Sequence, residues 1–194
     1  MRVLHRVVLT LGSLGLIAAS AQTARAADAG DITAGYSYLY DSDSSTGFPA
    51  GWFLSAAANL NDVFAIVGDV GGSYKSLSLS SGAVSGSLSM NIYTFMAGPR
   101  VIEHRGPLGF YGQFLVGAQR LSAVDSTTYV GITQSSSAAD TELCYAPGAG
   151  VDFGLGDNAA VRVGVSERFI HFDSTTQKEF QLQLGFVYRF GAGR

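Results

Sequence analysis

Apolar and polar residues alternate strictly along the last part of the chain. Every second position is a large apolar residue: Phe180, Leu182, Leu184, Phe186, Tyr188 and Phe190. Successive side chains of a β-strand point to opposite faces, so this spacing gives a strand with one apolar face and one largely polar face. A helix of the same sequence would spread its charged residues around its whole circumference. The pattern therefore predicts a β-strand between an apolar and a polar environment.

Seven earlier segments show the same alternation less cleanly. The eight predicted strands are residues 32–40, 51–60, 64–74, 88–101, 108–121, 143–155, 159–169 and 178–190. The predicted connections alternate in length, since residues 41–50, 75–87, 122–142 and 170–177 form long polar segments and residues 61–63, 102–107 and 156–158 short ones. Long loops at one end and tight turns at the other are typical of outer membrane barrels. We therefore expect an all-β fold, an eight-stranded antiparallel up-and-down transmembrane β-barrel.

The composition excludes several other classes of protein. Only 14% of the 194 residues are charged and the formal net charge is −3, whereas soluble domains average about 25% charged residues. Disorder requires high charge and low hydrophobicity, and nucleic-acid binding requires a basic surface. A coiled coil requires Glu/Lys heptads. Disorder, a coiled coil and nucleic-acid binding are therefore not expected.

The N-terminus has the features of an export signal. Arg2 and Arg6 precede an apolar segment, residues 7–19, and a small-x-small site ends at Ala26. An alternative is a membrane-spanning helix, but about 20 apolar residues are needed for one. We therefore predict a signal peptide at residues 1–26, with cleavage after Ala26, and an outer membrane β-barrel at residues 27–194.

The direction of the apolar face distinguishes a membrane barrel from a soluble one. The predicted outward residues include Trp52, Leu54, Phe95 and Phe114, and the predicted inward residues include Thr94, Gln113, Gln119 and Ser166. An eight-stranded barrel has room inside only for side chains, so its bulky apolar face contacts lipid. The alternative is a lipocalin-like soluble barrel, which would require the reverse arrangement. The predicted location is the cell outer membrane, with its lipid as a partner and the protein as a monomer.

Two charged residues flank the last short turn symmetrically. Asp152 and Arg162 are equidistant from Asp157, and the same register pairs Val151 with Val163. We therefore expect an Asp152–Arg162 ion pair inside the barrel, with Arg100 nearby, because buried charges must be paired or hydrated. The alternative is a pair of solvated charges at the periplasmic rim.

Four short motifs carry a family resemblance. They are GYSYL at residues 35–39, VGDVGG at 67–72, TFMAGPR at 94–100 and GAGVD at 148–152. With these motifs, essentially the whole mature chain resembles the outer membrane protein beta-barrel domain of the OmpA/OmpX-like superfamily. The resemblance implies a barrel scaffold and no particular activity.

The C-terminal strand also resembles the signal read by the barrel assembly machinery. Gln183, Gly185, Tyr188 and Phe190 fit a polar-x-Gly-x-x-aromatic-x-aromatic pattern, although residues 191–194 follow the last aromatic residue. Recognition by strand addition to an open sheet edge would explain the pattern. The alternative is that any final lipid-facing strand carries such aromatic residues.

Residues with catalytic or metal-binding chemistry are few and scattered. His104 falls in a predicted periplasmic turn and His171 in an external loop, so no nucleophile and base are brought together and both histidines should be solvated. We expect no enzyme activity, no cofactor and no metal site. Cys144 should be a small packed thiol and Asp69 an inward charge, while Pro147 should make its strand start at Gly148 or bulge there.

These observations favour a structural or surface-interaction role carried by the external loops. An extracellular or periplasmic partner is then expected. The alternative is a narrow pore for ions or small solutes, which the small interior of an eight-stranded barrel disfavours.

Overall fold

The fold was analysed in a computed structural model. It describes residues 29–81, 84–129, 132–172 and 175–191, so the predicted signal peptide and cleavage site at Ala26 lie outside the described residues. These ranges contain nine strands: β1 (Gly30–Asp41), β2 (Thr46–Phe48), β3 (Ala50–Asn59), β4 (Phe64–Ser81), β5 (Val84–Arg105), β6 (Leu108–Tyr129), β7 (Ile132–Gly154), β8 (Ala159–Phe172) and β9 (Thr175–Phe190). Within them, no helix is long and apolar enough to cross a membrane.

The strands close into an antiparallel barrel that is eight strands around. Neighbouring strands pair in chain order and β1 pairs with β9 from Gly30↔Phe190 to Asp41↔Glu179. The short β2 pairs with β1 on the same side as β3, with a one-residue change of register at Pro49 that marks a β-bulge. β2 and β3 therefore occupy a single strand position of the barrel. The count of eight strand positions confirms the predicted fold class.

The pairing also fixes the stagger of the barrel. A path through paired residues that starts at Tyr188 returns to β9 at Lys178, ten residues (188 to 178) along the same strand: Tyr188, Ile32, Ala56, Gly68, Ala97, Val116, Tyr145, Phe169, Lys178. Such a stagger requires strands tilted by roughly 35–45° to the barrel axis. The resulting interior accommodates side chains and no wide channel.

Side chains alternate between lipid and lumen as the sequence predicts. On β9, Phe180, Leu182, Leu184, Phe186 and Tyr188 are exposed while Glu179, Gln181, Gln183 and Val187 are buried. Exposed aromatic residues lie towards both ends of the lipid-facing surface, with Phe64, Phe153 and Tyr188 at the periplasmic end. At the external end, Trp52 Nε1 donates to Tyr74 Oη at 3.0 Å and Tyr145 stacks on Phe169. This outward apolar face is the reverse of a lipocalin-like barrel.

The periplasmic connections are short. β3 and β4 are joined by residues 60–63, β5 and β6 by 106–107, and β7 and β8 by 155–158. Gly106 has φ +62°, a left-handed conformation that glycine adopts without steric cost and that closes the two-residue turn with Pro107.

Three long external segments were predicted incorrectly as loops. In the predicted loop 170–177, β8 extends to Phe172 and β9 begins at Thr175. Much of residues 75–87 and 122–142 continues as strand, because β4 extends to Ser81, β5 begins at Val84, β6 extends to Tyr129 and β7 begins at Ile132. These segments are rich in Ser and Thr and poor in large apolar residues, and the side chains of residues 76–78 and 135–141 are exposed. Their polar composition reflects solvent exposure and not a loss of strand structure.

The prediction for Pro147 is also wrong. β7 runs from Ile132 through Pro147 to Gly154 and neither starts at Gly148 nor changes register there, since Tyr145↔Phe169 and Gly148↔Ser166 share one register with β8. Only the pairs opposite Ala146 and Pro147 are missing from the β8 ladder, while Phe114↔Pro147 is kept on the β6 side. Because Pro147 has no backbone N–H donor, the β7–β8 pairing is interrupted locally, but no bulge forms.

Candidate functional site

A buried ion cluster lies in the periplasmic half of the lumen. Asp152 and Arg162 face each other across β7 and β8, and Arg162 donates from Nε to Asp152 Oδ1 at 2.7 Å and from Nη2 to Oδ2 at 2.8 Å. This fork geometry is the strongest form of a carboxylate–guanidinium contact. Arg162 is only 2% exposed and Asp152 6%, so the pair is inside the barrel and not at a solvated rim.

Residues that the sequence analysis did not select complete this cluster. Asp31, one residue before the first predicted strand, lies 3.4 Å from Arg162 Nη1 and 3.6 Å from Arg100 Nη1. Asp31 therefore links Arg100 to the Asp152–Arg162 pair. Arg189 approaches Asp152 Oδ2 at 3.5 Å. The only sequence signal for Asp31 and Arg189 was that both occupy inward-facing positions, on β1 and β9. Both are far from Asp152 in the chain, so the sequence did not predict that they join the cluster.

Tyr111 occupies the space between the two buried guanidinium groups. Its ring centroid lies 4.8 Å from the Cζ atom of Arg100 and 4.7 Å from that of Arg162, within range of cation–π attraction. Room for the ring comes from two inward glycines, since a Cβ at Gly150 or Gly164 would lie 2.6 or 2.3 Å from Tyr111 Oη. The cluster is therefore packed as well as paired.

A second polar group lies nearer the external end of the lumen. Arg168 Nη1 is 3.8 Å from Glu179 Oε2, and Gln119 Nε2 donates to Glu179 Oε1 at 2.9 Å. All three side chains are buried. Asp69 is also buried, and its Oδ1 atom has no hydrogen-bond partner among the described residues.

Apolar side chains fill much of the remaining interior. A buried cluster contains Ala57, Ala65, Val67, Met96, Leu115, Cys144, Ala146 and Ile170. Cys144 is thus packed among apolar neighbours, as predicted. Two lumen cavities, at the periplasmic and external ends, have volumes of only about 20 and 50 Å³. The arrangement of side chains leaves no wide aqueous path through the described part of the barrel.

The four residues of the predicted assembly signal lie on both faces of β9. Tyr188 and Phe190 are exposed to the lipid side, and Gln183 and Gly185 are buried in the lumen. A Cβ at Gly185 would lie 2.7 Å from the Phe53 ring, so this glycine also has a packing role. The position of the two aromatic rings at the periplasmic end is compatible with either interpretation of the pattern.

The histidines are far apart and exposed. His104 lies on β5 beside the periplasmic turn, whereas His171 lies near the external end of β8, where its Nδ1 is 3.2 Å from Thr176 Oγ1. In the part of the chain that the structure describes, no group of three or more His, Cys, Asp or Glu residues could hold a metal ion.

A sheet of four strands continues outside the membrane. β5 pairs with β4 as far as Ser81↔Val84 and with β6 as far as Val84↔Tyr129, and β6 pairs with β7 as far as Tyr129↔Ile132. The outer strands of this sheet lose their other neighbours earlier: the described β3–β4 pairs end at Ala50↔Tyr74 and the β7–β8 pairs at Leu143↔His171. We call this extension, formed by residues 75–81, 84–90, 122–129 and 132–142, the external sheet.

Comparisons with known proteins agree with this architecture. The family described as outer membrane protein beta-barrel domain matches residues 9–190. The chain is similar to the crystal structure of Ail, the attachment invasion locus protein of Yersinia pestis, with 24% identity, coverage of 83% of this chain and 97% of that chain, and a TM-score of 0.56. Ail in complex with the heparin analogue sucrose octasulfate gives 24% identity, coverage of 83% and 99%, and a TM-score of 0.58.

A third similar structure comes from another genus. The crystal structure of Neisserial surface protein A gives 17% identity, coverage of 83% of this chain and 96% of that chain, and a TM-score of 0.50. No curated protein sequence matches the chain. The structural likenesses, all below 25% identity, show the fold, while the family match spans most of the chain. The chain belongs to the outer membrane protein beta-barrel domain family and is a protein of the outer membrane.

Proposed function

We propose that this protein is a surface-interaction protein whose external sheet binds extended segments of extracellular proteins. The observation that carries the proposal is the open edge of β7, where residues 132–142 pair with β6 on one side and have no described partner on the other. Unpaired N–H and C=O groups along such an edge are a template for an added strand.

The composition of this edge supports the proposal. Natural edge strands are usually protected by lysine, proline or bulges. Residues 132–142 read ITQSSSAADTE, with no lysine, arginine or proline. Both faces are solvated, since consecutive side chains from Ser135 to Thr141 are exposed. The edge is therefore long, regular and accessible.

The filled lumen favours this role over a pore, the alternative function. Arg100, Asp152 and Arg162 form a packed, paired cluster that crosses the interior near its periplasmic end. Opening a conductive path would require breaking buried ion pairs. Ail, one protein of similar fold, is an attachment invasion locus protein, and an attachment role is compatible with the proposal. The proposal itself rests on the open edge of β7 in this chain.

The test uses the barrel in lipid nanodiscs as the target for a displayed library of seven-residue peptides. Two variants differ only in which strand of the external sheet receives charge. Ser137→Lys with Ala139→Lys places two lysines on the open edge, whereas Ser87→Lys with Ser89→Lys places them on the interior strand β5. Peptides selected on the wild type should lose binding to the β7 variant and keep it on the β5 variant.

Hydrogen exchange gives the direct signature of strand addition. A bound peptide should slow amide exchange along residues 132–142, because these backbone groups gain hydrogen-bond partners. The proposal fails if no peptide is enriched, if both lysine variants lose binding equally, or if protection appears elsewhere and not on β7.

A further inference from the structure

A cavity of about 50 Å³ lies at the external end of the lumen and is lined by four carboxylates. They come from three different strands: Asp41 from β1, Asp140 and Glu142 from β7, and Glu179 from β9. Asp41 and Glu179 form the last described pair of β1 with β9, which places the cavity at the extracellular mouth. The cavity therefore combines acidic side chains with access from outside the cell.

Few positive groups offset these carboxylates. Arg168 lies 3.8 Å from Glu179, and Lys75 Nζ lies 5.9 Å from the ring of Phe48, which also lines the cavity. Asp41 already accepts hydrogen bonds from the backbone N–H of Asp43 at 2.9 Å and from Ser44 Oγ at 2.6 Å. The remaining carboxylates leave an acidic wall that attracts a cation.

Two buried oxygen atoms in this wall have no hydrogen-bond donor. They are Oε2 of Glu179, which is 4% exposed, and Oε1 of Gln119, which is 5% exposed. Both residues line the cavity, and the bond from Gln119 Nε2 to Glu179 Oε1 holds them side by side. Buried acceptors are normally paired, so this arrangement favours a ligand that brings several N–H donors.

Other lining residues form an apolar wall: Phe48, Ile92, Leu121 and Ile170. The ligand should therefore carry an alkyl segment as well as a charge. The described residues contain no group of three or more His, Cys, Asp or Glu residues that could hold a metal ion. A guanidinium group offers five donors in a planar fork, whereas an ammonium group offers three around a single point. One water molecule requires roughly 10–15 Å³, so a cavity of about 50 Å³ has room for a small charged group such as guanidinium.

We propose that this cavity binds a guanidinium group at the end of an alkyl chain. Glu179 and Gln119 accept from its N–H groups, Glu142 and Asp140 contribute negative charge at the mouth, and the apolar wall packs on the chain. The group can belong to a free alkylguanidine or to an arginine side chain of an extracellular protein. The site shares Asp140 and Glu142 with the edge of β7 but uses their side chains, whereas strand addition uses the backbone groups of β7. The proposal therefore does not rest on the proposed strand addition.

The test is isothermal titration of the full protein, refolded in detergent micelles, with butylguanidinium. Saturable 1:1 binding is expected, with weaker binding of butylammonium and none of the uncharged butanol. Glu179→Gln should weaken butylguanidinium binding by about tenfold or more, the loss expected for one buried charge-assisted contact. Glu142→Gln, at the half-buried mouth, should weaken it by about threefold, since exposed charges contribute less.

Asp125→Asn is the matched control. It removes the same charge from the external part of β6 but from an exposed side chain outside the cavity, so binding should be unchanged. Glu179→Gln also removes the partner of buried Arg168, and the altered migration of unheated protein on gels verifies that each variant is folded. Glu142→Gln keeps the test decisive if the Glu179 variant does not refold.

A second titration distinguishes the two sources of the ligand. A Gly/Ser peptide with one central arginine should displace butylguanidinium if the mouth admits a protein side chain, and should not displace it if only free alkylguanidines fit. Either result supports the cavity as a guanidinium site. The proposal is overturned if butylguanidinium shows no saturable binding, or if Asp125→Asn weakens binding as much as Glu142→Gln. Neither result affects the lysine variants on β7, so this proposal and the proposed function fail separately.

Discussion

At the residue scale, substitutions at the bidentate Asp152–Arg162 contact test most strongly how the lumen is stabilised. Removing Asp152 takes away the bidentate partner of Arg162 and leaves it with the longer contact to Asp31 at 3.4 Å. Breaking a buried pair from one side costs roughly 3–5 kcal/mol, whereas removing both partners avoids most of that penalty. Asp152→Ala should therefore destabilise the barrel strongly, and the Asp152→Ala, Arg162→Ala double variant should lose much less than the sum of the single losses. Urea unfolding of the refolded protein measures these differences.

An exposed ion pair of similar geometry provides the control. Arg105 Nη2 lies 2.8 Å from Glu103 Oε1, but these side chains are 71% and 63% exposed. Glu103→Ala should change the free energy of unfolding by about 1 kcal/mol or less, since exposed pairs contribute little. Additive effects at Asp152 and Arg162, or an equal loss at Glu103, would contradict the account of the buried cluster.

Gly164 tests the packing of Tyr111 between the two arginines. A methyl group at Gly164 would lie 2.3 Å from Tyr111 Oη and would displace the ring, whereas a Cβ at Gly68 would meet no atom within 4 Å. We expect Gly164→Ala to lower the free energy of unfolding by about 1–3 kcal/mol, the usual cost of overpacking, and Gly68→Ala to be tolerated. Urea unfolding of both variants checks this, and equal stability of the two would show that the ring has room to move.

The residues of this cluster differ in how far the sequence could predict them. Asp152 and Arg162 are ten residues apart around one turn, so local register was sufficient to pair them. Asp31 and Arg162 are 131 residues apart and come together only when β9 closes on β1 and β8 pairs with β9. A single sequence contains no signal for that contact beyond inward position. The cation–π contacts of Tyr111 were inaccessible for the same reason.

At the scale of the strand, β9 carries the predicted assembly signal. Phe190→Ala or Tyr188→Ala should lower insertion in cells more than it lowers the stability of protein refolded in detergent. The finished barrel loses one interfacial ring, whereas the unfolded chain loses part of the pattern that a strand-adding machinery would recognise. Outer membrane levels and urea unfolding are the two measurements.

Two further variants make this test specific. Phe180→Ala removes an aromatic ring from the same lipid-facing row outside the pattern, so it should not reduce insertion selectively. Deletion of residues 191–194 should be tolerated, because it places Phe190 at the terminus. If that deletion blocks insertion while both aromatic substitutions are harmless, the pattern is only that of a lipid-facing strand.

The external sheet should be separable from the barrel. Shortening β6 and β7 by replacing residues 124–137 with a two-residue Asn-Gly turn leaves all the described pairs between β7 and β8 in place. The barrel should still fold and show altered migration of unheated protein on gels, while peptide binding to the edge of β7 is lost. Failure of the shortened protein to fold would mean that the external sheet stabilises the barrel and is not a separate binding surface.

Strand bounds were predicted well where lipid imposes alternation and poorly outside it. β9 was predicted from residue 178 to 190 and extends from Thr175 to Phe190, since its apolar row faces lipid throughout the barrel. β7 was predicted to begin at residue 143 and begins at Ile132, because outside the membrane neither face is apolar and the period-two signal disappears. Serine and threonine in that segment were compatible with loop or strand, and only the pairing with β6 decides between them.

At the scale of the whole molecule, the interior is filled and the exterior carries the accessible features. The ion cluster of Asp31, Arg100, Asp152 and Arg162 lies in the periplasmic half of the lumen, and the acidic cavity lies at the external mouth. An eight-stranded barrel encloses side chains and no wide channel. We therefore propose that the protein acts through its external sheet and external mouth, with the barrel as a stable support.

Single-channel recording of the refolded protein in planar lipid bilayers tests this central claim most directly. Arg100→Ala with Arg162→Ala is the informative comparison, because it removes the two guanidinium groups that fill the lumen around Tyr111. We predict no resolvable conductance steps for the wild type, even where gel migration shows folded protein, and any steps only in the double variant. Stable, uniform conductance steps from the wild-type protein would contradict the account and establish the pore.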